Sequence, residues 1–198
     1  MTFQIYMRNI LQNTASQAME TVKAAKAWIL AAALVYVLAG GIAWSFPHHF
    51  DFLEPQFHAL VEQFAHLGAW EFILRIFVHN LIASYLAMCF IVFFGVVPVA
   101  FAVLNGLLLG WFVSWMEEAA WYEILVMLAP HGIFEWPAMF IAFGVGFWRG
   151  WGYRYGQANL TWLQRFKRVH CVFVVFVLPL LCVAAVIEGR YHLAGVAA

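Results

Sequence analysis

The sequence predicts an all-α, polytopic transmembrane bundle of about five spans. Three observations carry this. Of 198 residues, 66% are hydrophobic and only 10% are charged, whereas soluble domains carry roughly 25% charged residues. The mean hydropathy is +0.85. The apolar runs are continuous, whereas a transmembrane barrel would alternate polarity over segments of about ten residues.

Residues 1–27 are polar, with Phe3, Met7, Ile10, Leu11, Ala18 and Val22 at roughly helical spacing. This pattern predicts a cytoplasmic or interfacial amphipathic helix that bends into the first span, with packing on the rest of the chain as the alternative. The transmembrane part, 28–198, contains five apolar segments: 28–46, 72–95, 99–115, 132–148 and 169–187. An outer loop, 47–71, reads as an amphipathic helix in its second half. GVVP at 95–98 predicts a tight hairpin, and 149–168 a cytoplasmic loop. The first apolar run begins near Trp28, which fits no cleavable signal peptide.

Lys and Arg are retained on the cytoplasmic side of a membrane. With the N-terminus inside, the cytoplasmic segments hold Arg8, Lys23, Lys26, Arg149, Arg154, Arg165, Lys167 and Arg168. Only Arg75 and Arg190 fall outside. The expected chain is therefore a multi-pass protein of the cytoplasmic membrane, with its C-terminus outside. Nine of the ten acids, all but Glu20, then lie on or near the outer face. Six of the eight histidines (48, 49, 58, 66, 131 and 192) share it. A formal net charge of zero with no basic patch excludes nucleic acid as an obvious partner. Cys89, Cys171 and Cys182 sit inside apolar runs, as small buried hydrophobes do.

Polar residues inside the spans or at their edges are the candidates for chemistry, because a charge near the membrane interior costs about 2.5–3.5 kcal/mol. His79 and Asn80 stand in RIFVHNLIA, His131 and Glu135 in APHGIFEWPA, and Glu188 in AAVIEGRYH. His131 and Glu135, four apart, share one helix face, with Pro130 suited to the first turn. Three helices thus deliver polar groups to the outer third of the membrane. An imidazole with two carboxylates suits a divalent metal, zinc above all, with one position left open. The candidate ligands are His131, Glu135 and Glu188, with His79 as a fourth ligand or a supporting donor. The bland alternative is a capped helix end, with Glu188 paired to Arg190.

Glu54, His58, Glu62 and His66 recur every four residues along the outer loop. They read as the solvated face of a surface helix, opposite Phe57, Leu60, Val61, Phe64 and Leu67. Gly106 with Gly110, and Gly146 with Gly150, make two G-x-x-x-G pairs. These predict close packing between the third and fourth spans, or a homodimer seam. Asn105 is expected to hydrogen-bond across helices, with Asn80 as a partner.

FVHN, FFGVVP, LNGLLLG, PHGIFEWPA, GVGF and VIEGRY, spread from about Phe77 to Tyr191, together resemble the stage II sporulation protein M family. His79 departs from it, standing where the family more often has asparagine. The resemblance implies recurrent functional positions at His131, Glu135 and Glu188. It also implies a role similar to that of a membrane scaffold for cell-wall hydrolases in the envelope. Relatives also occur outside spore formers, so sporulation itself does not follow. The expected protein is an envelope scaffold or assembly factor with an outward His/Glu pocket, in contact with lipid and a candidate homodimer. A metal-dependent intramembrane hydrolase is the first alternative, in which the metal activates water. A transporter subunit is the second.

Overall fold

The structure is a computed structural model that describes residues 2–65, 67–90, 95–116, 121–157 and 159–193. Helices make up its architecture, and no strand occurs among the described residues. Seven α-helices follow one another: α1 (Thr2–Ser45), α2 (Glu54–Ala65), α3 (Ala69–Cys89), α4 (Val96–Ser114), α5 (Trp121–Gly150), α6 (Trp162–Val172) and α7 (Leu178–Leu193). Four stretches of the described residues are long and apolar enough to cross a membrane: Gln4–Ser45, Trp70–Cys89, Val96–Ser114 and Trp162–Ile187.

α1 is not interrupted at residue 28. It runs unbroken for 44 residues, about 66 Å of helix, roughly twice the hydrocarbon thickness of a bilayer. Strong helix formers such as AMETVKAAKAW and the lack of any glycine before Gly40 explain the continuity. Its first half is not merely superficial, because Ala18, Thr21 and Ala25 are fully buried. Arg168 of α6 pairs there with Glu20 at 3.5 Å.

α4 lies in a tight seam against α1. A Cβ on Gly106 would collide with the Tyr36 carbonyl, and one on Gly110 with the Gly40 backbone. The first G-x-x-x-G pair therefore packs within the chain, against α1 rather than α5. Gly144 meets Ile29 of α1, while Gly146 meets Ala87 of α3 and Pro98 of α4. Gly150 is buried at the end of α5. These pairs also give directions. Gly106–Tyr36 and Gly110–Gly40 make α1 and α4 parallel. Gly144–Ile29 and Phe140–Tyr36 set α5 against α1, and Gly146–Ala87 with Arg149–Cys89 set α3 parallel to α5.

Two boundaries differ from expectation. α5 begins at Trp121, so Pro130 and Pro137 stand inside a 30-residue helix. Backbone groups in lipid need internal partners, which favours extending a helix through the apolar WYEILVMLA and tolerates its prolines. Of GVVP, only Gly95 belongs to the turn between α3 and α4, because residues 96–98 already lie in the helix. Gly95 takes the left-handed φ of +95° beside Phe147, and Val96 already opens α4.

α6 and α7 join into one rod through a π-turn, Phe173–Val177, in which the Leu178 N–H donates to the Phe173 carbonyl. Pro179 lacks an N–H and its ring crowds the carbonyl four residues back, so the widened turn is a physical accommodation of it. A short 3-10 segment, Pro47–Leu53, follows α1. The Trp111 indole of α4 donates to Asp51 at 3.4 Å, and Phe57 of α2 lies 5.1 Å from Phe112 between ring centroids.

Candidate functional site

The bundle has two opposed ends. One gathers the last turns of α3 and α5, the start of α4 and the whole of α6. Basic residues concentrate here: Arg149, Arg154, Arg165, Lys167 and Arg168, against Glu20. The other end receives the C-terminus of α1, the acidic segment with Asp51 and Glu54, and the first turns of α3 and α5 with Glu71 and Glu123.

Arg149 sits at the basic end and is 1% exposed. Its Nη1 donates to the Cys89 carbonyl at 2.6 Å and the Met88 carbonyl at 3.2 Å. Those are terminal carbonyls of α3, which have no partner within the helix, and a cation there also meets the negative end of the helix dipole. Its guanidinium lies 4.9 Å from the Phe166 ring centroid and 5.6 Å from that of Trp162, within cation–π range. The arrangement repeats one helix on. Arg165 donates to the Arg149 carbonyl at 2.7 Å, at the end of α5, and stacks 3.6 Å from the Tyr153 ring centroid. No carboxylate of the described residues pairs with Arg149. Carbonyl dipoles and ring faces therefore carry the compensation.

Tyr85 and His170 complete this junction. The His170 Nδ1 lies 2.8 Å from the Phe166 carbonyl, which can only accept, so Nδ1 holds a proton. In neutral His170, Nε2 is then the acceptor, and the Tyr85 hydroxyl donates to it at 2.7 Å. This bond ties α3 to α6. The direction of the rod also follows, because it passes Arg149 at Phe166 and reaches Tyr85 at His170 and Phe173. It runs opposite to α3.

The residues singled out from sequence are distributed differently. Glu135 is half-buried in the middle of α5 and close enough to act electrostatically on the Tyr36 hydroxyl of α1. Tyr36 is itself buried and packs on Trp136 and Phe140. The His131 and Glu188 side chains, like His66, lie outside the described residues. By helical rise, Glu135 stands about 21 Å and Glu188 about 27 Å from the Arg149–His170 junction, but His79 only about 15 Å. His79 does not start its helix. It is exposed at the midpoint of α3, with Asn80 half-buried beside it. Asn105 donates to the Phe101 carbonyl of its own helix at 2.8 Å, not across to Asn80. On α2, His58 lies 3.6 Å from Glu54. Among the described residues, no group of three or more His, Cys, Asp or Glu is placed to hold a metal ion.

Sequence reasoning missed the junction. It counted Arg149 and Arg165 only as markers of orientation, and Tyr85 and His170 sit in apolar runs where charge counting does not reach. The available signal was GFWRG itself, an arginine that ends a glycine-rich core helix. Trp162 and Phe166 at i and i+4 supply its aromatic shelf.

Comparison with curated proteins and with solved structures found no match. A family model described as Stage II sporulation protein M matches residues 16–191, a stretch that contains the seam, the arginine junction and Glu135. The chain belongs to the Stage II sporulation protein M family.

Proposed function

We propose that this chain is a five-span protein of the cytoplasmic membrane that acts as a scaffold for envelope partners, with its N-terminus inside and its C-terminus outside. α5 is the fifth span, about 45 Å of helix by its length. The alternating helix directions support that count. The basic end supports the orientation, because cytoplasmic segments retain Lys and Arg.

The observation that carries the scaffold reading is Glu135. It is the only acid between Glu123 and Glu188, and it is half-buried at mid-helix beside Tyr36. A carboxylate at such a depth works against insertion, so a role in recognition accounts for it better than stability does. His131 and Glu188 join it in an outward pocket, and zinc is the ion such a donor set favours. A second copy of the chain and a cell-wall hydrolase are the partners this reading expects.

Cross-linking in the native membrane tests it. His131→Ala and Glu135→Gln should leave the amount of membrane-inserted protein unchanged and abolish the cross-link to an envelope hydrolase. If the purified chain instead binds zinc and cleaves peptides unaided, the intramembrane hydrolase replaces the scaffold.

A further inference from the structure

A narrow crevice opens between α1, α4 and α5, with a cavity volume of about 110 Å³. Trp28, Ala31 and Val35 of α1, Val99 of α4, and Phe143 and Phe147 of α5 form its walls. The floor is close-packed, since Ala102 is fully buried and Phe143 is 3% exposed. The volume is well below the roughly 300–1,000 Å³ of a small-molecule site. An apolar slot of this size suits a segment of a single alkyl chain.

The Trp28–Phe147 edge of the slot lies at the basic end, and its exposed lining residues are Ala31 and Val99. Trp28 closes over Gly152, and its ring stands 4.7 Å from Phe147 and 6.0 Å from Tyr155. Tyr155 is 70% exposed. Next to it, Arg154 stacks 4.5 Å from the Trp151 ring centroid. Trp and Tyr with an Arg are the side chains that settle at the headgroup level of a bilayer. Pro98 and Val99 of the first turn of α4 line the slot, so the positive end of that helix's dipole lies at the same edge. An apolar channel below and a cationic, aromatic rim above are complementary to one kind of molecule.

We infer that the α1–α4–α5 crevice holds one acyl chain of an anionic phospholipid, whose phosphate meets Arg154 and the aromatic rim at the basic end. The site is separate from the Glu135 pocket and from the carbonyls that Arg149 caps. It makes anionic lipid a resident partner of the bundle rather than bulk solvent.

The test uses the full chain in nanodiscs of phosphatidylcholine with phosphatidylglycerol as the minor component, released into native mass spectrometry. The wild type should retain one phosphatidylglycerol in preference to the bulk mixture. Ala31→Trp fills the slot from an exposed wall position and should retain no lipid. Val99→Trp, on the opposite wall, should do the same, and circular dichroism identifies whichever variant stays folded. Arg154→Gln should still retain a lipid, with its anionic preference reduced about five-fold. Retention of lipid in bulk proportion by the wild type overturns the headgroup assignment. Equal retention by wild type and a folded filled-slot variant overturns the crevice as the site.

Discussion

The two polar regions of this bundle treat charge in opposite ways. At the basic end, Arg149 is more deeply buried than Glu135, yet its Nη1 donates to two α3 carbonyls and ring faces cover the guanidinium. At mid-bundle, Glu135 is only half-buried, with Tyr36 as its polar neighbour on α1. A buried charge surrounded by groups that the fold itself leaves orphaned is part of the fold's construction. A carboxylate at mid-helix, away from the helix ends where orphaned backbone groups concentrate, reads as a group held for something else. Burial alone therefore does not mark function here; the origin of the compensating groups does.

The largest effect is expected at the seam that holds both regions together. Gly110→Leu would drive a side chain into the Gly40 backbone, which cannot yield as a side-chain tip could. We expect a loss of about 4 kcal/mol or more, seen as little folded protein recovered in detergent. Next comes the junction. Arg149→Met keeps the bulk but leaves the Met88 and Cys89 carbonyls without their donor, at a cost of about 3 kcal/mol. Arg149→Lys should recover part of it, because an ammonium can reach one carbonyl but cannot match the planar stacking on Phe166. Chemical denaturation in mixed micelles ranks the three.

A smaller effect is expected at Tyr85. Tyr85→Phe keeps the ring packing on Phe173 and removes one neutral hydrogen bond to His170, about 1 kcal/mol. Hydrogen exchange at the start of the π-turn should rise with it. Smallest of all is Glu135→Gln, which should change stability by less than about 0.5 kcal/mol while removing the partner cross-link. A large fall in stability would move Glu135 into the same class as Arg149.

The helical class and the family were legible because they depend on composition and short motifs: apolar runs, LNGLLLG and PHGIFEWPA. The tight glycine faces were legible too, but not their partner. Gly106 and Gly110 define a face on α4, and nothing local says that Tyr36 and Gly40 of α1 fill it. The start of α5 was hidden by Pro130, which locally resembles a helix opening, whereas lipid rewards continuing the helix. Asn105 is of a type that can reach across helices; in place, it returns to its own backbone. Arg149 was missed for a related reason: its partners are main-chain carbonyls, which every residue has and no sequence pattern displays.

Thermal unfolding of detergent-solubilised wild type, Arg149→Met and Glu135→Gln, run side by side, tests the division between construction and function most directly. Under that division, Tm falls by about 6–12 °C for Arg149→Met and by no more than about 2 °C for Glu135→Gln. An unchanged Tm for Arg149→Met, or an equal fall for both variants, would contradict it.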